Sequence, residues 1–263
     1  MESPGQLNQI NCEIHDRSAV ISLANVSRRN AINVEMVGEI VDTLTAIEAS
    51  RDVNAVVITG QGPAFCAGAE LGHLMRASEE EDRASEALRS IYRVFLRIDA
   101  CPLPTIAAVN GPAVGAGMNM ALACDIRIAG HSARFATRFL TLGLHPGGGH
   151  TWMLRRAVGS QAAMVAVLLD EELSGEEAAR VGLAWRCVPD AELMDDALAL
   201  AARAAAMPRE VLISAKQSIR EMADVSSYAD AVERELPRQL WSAQQDEFRH
   251  RMAKLSVGSS RRS

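Results

Sequence analysis

The stretch PTIAAVNGPAVGAGMNMALACDIRIAG, residues 104–130, carries the strongest indication of the fold. Its two ends, 104–109 (PTIAAV) and 125–130 (DIRIAG), are short segments that predict strands. Between them, glycines break the chain and open directly into a small, apolar helix whose one polar side chain near the start is Asn119. The first turn of a helix presents backbone N–H groups that have no intrahelical acceptor. The stretch therefore predicts a strand, a turn, a helix that begins at a possible ligand site, and a second strand.

A second segment of the same kind occurs earlier in the chain. Residues 55–59 (AVVIT) predict a buried strand, and residues 64–71 (AFCAGAEL) form a tight segment of small side chains after a glycine-rich turn. Two N–H groups that converge from the turns at 67–71 and 115–119 would form an oxyanion hole, which polarises a carbonyl and stabilises an enolate. The alternative stays open at this point, since Gly-Ala turns also serve simply to pack a helix against a sheet.

The composition is that of an acidic globular protein. The 263 residues are 48% hydrophobic and 23% charged, which suits one large domain or one domain with a smaller appendage. The net charge of −6 argues against a nucleic acid partner, because basic surfaces bind phosphate backbones. Five cysteines without CxxC spacing favour a reduced, cytoplasmic compartment, and we expect neither a secretory signal nor a membrane-spanning segment.

The order of the predicted elements divides the chain into two regions. Strand, turn, helix and strand occur twice at a similar size, which indicates a weak internal repeat of ββα type. From about Asp190 onward the segments have helical periodicity. We therefore predict an α/β fold with a core at 1–190 and a helical C-terminal region at 191–263.

Five motifs in this order resemble those of the crotonase (enoyl-CoA hydratase/isomerase) superfamily, and the resemblance covers nearly the whole chain. They are RRNAIN (28–33), AVVITGQGPAFCAGAEL (55–71), PTIAAVNGPAVGAGMNMALACDIRIA (104–129), FATRFLTLGLHPGGG (135–149) and LSGEEAARVGLAWRCVP (173–189). The resemblance implies a crotonase-like ββα spiral core that binds acyl-CoA, and C-terminal helices that assemble homotrimers or dimers of trimers. It also implies a role in fatty acid or acyl-CoA metabolism, with a coenzyme A thioester as substrate or ligand and with no cofactor and no metal.

The resemblance also assigns residues to that ligand. The thioester oxygen would be held by the backbone N–H groups of Ala69 and Ala116, where alanine 116 stands at a position at which the family commonly has glycine. The residues expected to line coenzyme A are Arg29, Ala31, Cys66, Ala67, Gly68 and Glu70.

The catalytic positions depart from the family pattern. Hydratases of this family use two glutamates to activate water, and this chain has Asn119 and Phe139 at those places. An amide takes no proton at neutral pH and neither does a phenyl ring, so ordinary hydration is not expected. His145 is the leading candidate for a substitute acid or base, with a hydrogen bond to a backbone carbonyl as its alternative role. His150 is the weaker candidate, and Arg138 either binds a carboxylate or is structural.

Three functions remain open on the sequence alone. The first is an enzyme of the family with an intact oxyanion hole and a changed acid/base set. The second is a non-catalytic carrier or sensor of acyl-CoA, which the replacement of both glutamates favours. The third is an α/β protein that binds phosphate at the helix mouth, although a P-loop is excluded because no Lys-Ser/Thr pair follows the glycines.

Overall fold

A computed structural model of the chain describes residues 8–70, 72 and 80–259. The strands are β1 (Ile10–His15), β2 (Ser18–Leu23), β3 (Ala55–Gly60), β4 (Thr105–Val109), β5 (Pro112–Val114), β6 (Ile126–Gly130), β7 (Arg134–Ala136), β8 (Leu173–Ser174) and β9 (Arg186–Val188). The α-helices are α1 (Val34–Ala49), α2 (Glu81–Asp99), α3 (Ala116–Ala123), α4 (His150–Leu168), α5 (Gly175–Arg180), α6 (Leu193–Ala205), α7 (Arg209–Glu221), α8 (Tyr228–Ala243) and α9 (Asp246–Ser259).

The large sheet has six strands in the order β1-β2-β3-β4-β6-β9. β1 and β2 form an antiparallel pair, and each later strand in this order is parallel to its neighbour. Every residue of β3 and β4 is buried, because strands in the middle of a parallel sheet are covered on both faces. The strands predicted at 55–59, 104–109 and 125–130 all lie in this sheet.

The small sheet, in the order β5-β7-β8, positions the start of α3. β5 follows β4 after a two-residue turn at Asn110 and Gly111, and it pairs in parallel with β7. Gly115 then joins β5 to α3 with a φ of 50°, in the left-handed region that glycine tolerates best. The glycine at this position therefore lets the chain turn from the small sheet directly into the helix.

The first compact unit of the chain extends to Ala205, and the second begins at Ala206. The sequence predicts a division at 190/191 because helical periodicity begins there. The contacts place it later, since α6 packs Leu193, Ala197 and Ala201 into the core formed by the large sheet. Helical periodicity marks where helices begin but does not show which unit a helix packs against.

The second unit is helical throughout its described residues. Ser227 caps α8 by accepting a hydrogen bond from the backbone N–H of Asp230, and Arg238 of α8 donates to Glu221 of α7 at 2.9 Å. The trimerisation role of this region stays a prediction. Across the described ranges, no helix combines the length and the apolar composition needed to cross a bilayer.

Candidate functional site

A cavity of about 260 Å³ lies in the first unit, between the turn at Ala67–Glu70, the start of α3 and one face of α2. It brings together most of the residues that the sequence analysis assigns to a ligand: Ala67, Gly68, Ala69, Glu70, Ala116, Asn119, Arg138, Phe139 and His145. Three other predicted coenzyme A residues, Arg29, Ala31 and Cys66, are not on its wall. The remaining lining is largely apolar, as expected for a site that takes up an organic group.

An isolated parallel bridge between Cys66 and Ala113 holds the two turns together. The Cys66 N–H donates to the Pro112 carbonyl at 3.0 Å, and the Val114 N–H donates to the Cys66 carbonyl at 2.9 Å. Ala69 and Ala116 each lie three residues beyond this bridged pair. The register of the bridge therefore carries both alanines to the same wall of the cavity.

The backbone N–H groups of Ala69 and Ala116 have no acceptor in the described part of the chain. Ile32 forms hydrogen bonds with the residues on both sides of Ala69. Its N–H donates to the Gly68 carbonyl at 2.7 Å, and its carbonyl accepts from the Glu70 N–H at 2.9 Å. Ala116 is the first residue of α3, where an N–H has no intrahelical acceptor. Among the described residues, neither N–H is hydrogen-bonded within the chain, so both can donate to a bound oxygen.

A turn in the left-handed backbone region, at Arg29 and Asn30, packs against the segment from Cys66 to Glu70. Arg29 and Asn30 have φ values of 50° and 58°. The Arg29 carbonyl accepts from the Ala67 N–H at 2.9 Å, and the buried Asn30 amide donates to the Ala64 carbonyl at 2.9 Å. The Arg29 side chain is exposed. Its predicted contact with coenzyme A, like that of Ala31, stays a prediction.

Cys66 is a buried thiol rather than a nucleophile. Burial raises its pKa to about 12, and the thiolate is the reactive form of a cysteine. Its role in the structure is carried by its backbone, which forms the bridge to Ala113.

Asn119 is 1% exposed, and both ends of its amide are hydrogen-bonded. Its Nδ2 donates to the Gly147 carbonyl at 2.9 Å, and its Oδ1 lies 2.7 Å from Nδ1 of His150. Because an amide oxygen only accepts, this pairing places a proton on Nδ1 of the histidine. The ring of Phe139 packs edge-on against the same imidazole, with 5.0 Å between ring centroids. One buried histidine thus contacts both residues that stand in the glutamate positions.

His150 is 1% exposed, and its Nε2 has no hydrogen-bond partner among the described residues. Burial lowers its pKa to about 4, because the charged form loses hydration without gaining a partner. The ring is therefore neutral at physiological pH. The sequence favours His145 over His150 as an acid or base, and a histidine at a helix start carries no sign of its burial.

His145 makes the backbone contact that the sequence gives as its alternative role, and its role as an acid or base stays a prediction. Its side chain lies on the cavity wall and is exposed. Its Nδ1 is 2.8 Å from the Pro146 carbonyl, so the backbone contact is made by that nitrogen. With the proton on Nδ1, the neutral ring keeps a lone pair on Nε2, which is the form that accepts a proton.

A family model described as enoyl-CoA hydratase/isomerase matches residues 13–255. The chain belongs to the crotonase superfamily. A probable enoyl-CoA hydratase from Mycobacterium tuberculosis is 44% identical over 253 residues, which cover 94% of this chain and 97% of that protein. The 1,2-epoxyphenylacetyl-CoA isomerase of Escherichia coli is 37% identical over 203 residues, which cover 76% and 77%.

The crotonase fold predicted from the motifs is confirmed. The crystal structure of an enoyl-CoA hydratase from Bacillus anthracis matches this chain with a TM-score of 0.88 at 28% identity, covering 97% of each chain. The chain is a mixed α/β protein with a helical C-terminal segment, as the sequence predicts. In a crotonase of this family the substrates are acyl-CoA thioesters.

Arg138 of this crotonase is engaged by the chain's own carboxylates. Its guanidinium donates to Asp170 at 2.8 Å and to Glu172 at 2.9 Å. The hydrogen bond from Thr141, together with these contacts, holds the pKa of the Asp170 carboxyl below its usual value. The positive charge is therefore already matched, which favours the structural role over binding of a substrate carboxylate. Within the described ranges, no group of three or more His, Cys, Asp or Glu side chains is placed to hold a metal ion.

Proposed function

We propose that this crotonase binds an acyl-CoA thioester with its carbonyl oxygen between the N–H groups of Ala69 and Ala116. The observation that carries the proposal is the pair of unpaired N–H groups on one wall of an apolar cavity. Such donors stabilise the negative charge that forms on the oxygen when the thioester becomes an enolate. The acyl chain would then lie against the apolar part of the wall, formed by Leu88, Ile91, Phe95, Leu142 and Leu144.

The reaction that this site supports best is proton transfer at C2 of the acyl group, the carbon next to the thioester. Two-glutamate hydration is disfavoured because Asn119 has both ends of its amide engaged and Phe139 carries no ionisable group. In the proposed step, Nε2 of His145 accepts the proton from C2 while the electron pair moves onto the thioester oxygen. Return of a proton to C2, as the electron pair moves back from the oxygen, restores the thioester. The likeness to a 1,2-epoxyphenylacetyl-CoA isomerase supports an acyl-CoA as the substrate class.

Incubation in D₂O tests this proposal. We expect butyryl-CoA to take up deuterium at C2, measured by mass spectrometry, and trans-2-butenoyl-CoA to add little water. His145→Gln should lower the exchange rate by about 10²- to 10⁴-fold, as for other general bases. The matched control is His131→Gln, at an exposed histidine away from the cavity, which should leave the rate unchanged.

Two outcomes would contradict the assignment of His145. Glu70 is the carboxylate on the described cavity wall, so a loss of exchange in Glu70→Gln with full exchange in His145→Gln would make Glu70 the base. Fast addition of D₂O to trans-2-butenoyl-CoA by the unaltered chain would mean that it is a hydratase with a different acid/base set.

A non-catalytic acyl-CoA carrier or sensor is the second candidate. The specific observation in its favour is the contact between Phe139 and the buried ring of His150, which presents an aromatic surface instead of a carboxylate at this position. Tight binding of butyryl-CoA without deuterium uptake or any turnover would support this function and reject the enzyme.

We further propose a cytoplasmic homotrimer or dimer of trimers. The second unit leaves large apolar side chains exposed on α8, where Leu236 is 44%, Leu240 56% and Trp241 38% exposed. Covering such residues in a subunit interface removes apolar surface from water. The five cysteines all lie in the described ranges and form no disulfide there, which suits a reducing compartment.

A further inference from the structure

Tyr92 of α2 lies on the cavity wall beside the turn at Gly147 and Gly148. Its hydroxyl oxygen faces the backbone of this turn. An added methyl group at Gly147 would collide with the same oxygen, so the hydroxyl packs directly on this turn. The phenol is thus held in place by the backbone of the segment that also bonds Asn119.

The hydrogen of this hydroxyl has no acceptor among the described residues. A phenol has one O–H donor and can also accept. Burial raises the pKa of Tyr92, so the group is a neutral donor at physiological pH. A donor left free on the wall of a half-closed cavity is a group that can recognise a ligand.

The other neutral polar side chains on the wall are already engaged within the chain. Ser90 donates to the Ala87 carbonyl at 2.7 Å, and Thr137 donates to the Ala166 carbonyl at 3.1 Å. Asn33 caps α1 by accepting from the Met36 N–H and donates to Gln9. With Asn119 also satisfied at both ends, the Tyr92 hydroxyl is the free neutral side-chain donor on the described wall.

The position of this donor relative to the thioester follows from α3. Asn119 is one helical turn beyond Ala116, and side chains at this spacing are about 5–6 Å apart. The Gly147 carbonyl is bonded to Asn119, and Tyr92 contacts Gly147. Contacts through Gly147 and Asn119 therefore connect this donor to the helix that begins at the proposed oxyanion site, and both line the same cavity.

We propose that Tyr92 is a specificity-determining residue that donates a hydrogen bond to an oxygen on the acyl chain near the thioester. The preferred ligand is then an acyl-CoA with a carbonyl or hydroxyl oxygen close to the thioester, rather than a plain alkyl chain. The inference rests on the proposed binding of acyl-CoA in this cavity. The inference extends that proposal by naming the chemical class of the acyl group.

Matched ligands of equal chain length test the inference. Dissociation constants are measured by calorimetry for butyryl-CoA, 3-hydroxybutyryl-CoA and acetoacetyl-CoA. We expect one or both oxygenated ligands to bind about 3- to 10-fold more tightly than butyryl-CoA, the factor that one hydrogen bond supplies. Preference for one oxygenated ligand over the other distinguishes a hydroxyl from a carbonyl at that position.

The variants separate recognition from structure. Tyr92→Phe should bring the ratio of affinities close to one, whereas Tyr228→Phe should keep it, because Tyr228 is 87% exposed in the second unit. An equal affinity of the unaltered chain for all three ligands, or an unchanged ratio in Tyr92→Phe, would overturn the inference, as would an equal weakening of all three ligands in that variant. Failure of butyryl-CoA itself to bind would instead refute the proposed function, and this inference with it.

Discussion

His150 offers a direct test of the buried network behind the cavity. Its ring is almost inaccessible to solvent, with Nδ1 at 2.7 Å from Asn119 Oδ1 and with Phe139 packed at its edge. Nε2 has no hydrogen-bond partner in the described part of the chain. Protonation would place an N–H and a positive charge at this nitrogen with no acceptor to receive them. We therefore predict that the folded chain resists protonation of His150.

The size of the effect follows from the displaced pKa. Burial lowers the pKa of His150 from 6.5 to about 4, and one pKa unit corresponds to about 1.4 kcal/mol. The shift is therefore worth roughly 3 kcal/mol of the free energy of unfolding. Since the unfolded chain takes up this proton more readily than the folded chain, the stability falls as the pH is lowered from about 6.5 to about 4. Above that window the contribution of this group to the stability does not change with pH.

The perturbation is His150→Asn, which keeps an amide donor near Asn119 and removes the titrating ring. Urea unfolding is measured at several pH values between about 7.5 and 4 for both proteins. We expect the unaltered chain to lose roughly 3 kcal/mol more than the variant across this range. Comparing the two cancels the contribution of the carboxylates, which titrate in both. His131→Asn, at an exposed histidine, is the control and should follow the unaltered chain.

Parallel loss of stability in the unaltered chain and in His150→Asn would refute this reasoning. It would mean that the ring titrates alike in the folded and unfolded states. An NMR titration of the imidazole gives the same answer without unfolding, because a pKa near 6.5 for the His150 signal is incompatible with a desolvated, unpaired Nε2.

Two further predictions concern the geometry of the cavity. Gly117→Ala sets a methyl group against the backbone of Cys66, so we expect about 1–3 kcal/mol lower stability in urea and weaker butyryl-CoA binding by calorimetry. Gly38→Ala, on α1 with open space around it, is the matched control and should stabilise by about 1 kcal/mol. The double variant Asn119→Glu/Phe139→Glu should gain addition of water to trans-2-butenoyl-CoA, followed by the loss of enoyl absorbance. A variant that folds and binds but stays inert would show that the two positions alone do not determine hydration.

The central strands were predictable because their apolar composition indicates burial. Residues 55–58 and 106–109 are unbroken apolar runs, and strands covered on both faces are typically built from such runs. The meeting of the two turns was not predictable from spacing, because it depends on the bridge between Cys66 and Ala113. The motif resemblance supplied that information, since it compares the whole arrangement rather than each segment.

The boundary between the two units shows a different limit of the sequence. The periodicity of α6 is visible, and its buried stripe includes the small side chains Ala197 and Ala201. Small residues of this kind allow a helix to pack closely against any neighbour, so they do not identify the large sheet as the partner. The contacts of Leu193, Ala197 and Ala201 with the core settle the placement.

The two histidines of the glycine-rich turn show why the site chemistry needed the structure. His145 and His150 are chemically identical, yet one is exposed on the cavity wall and the other is buried behind it. The sequence did contain one signal: Asn119 is the single polar side chain in an apolar helix, and a buried amide requires both a donor and an acceptor from elsewhere. That requirement predicts two partners without naming them, and the structure identifies them as His150 and the Gly147 carbonyl. A carboxylate at position 119 would accept the hydrogen bond from His150 Nδ1 in place of the amide. Any gain of hydratase activity therefore depends on how His150 responds as well as on the new acid.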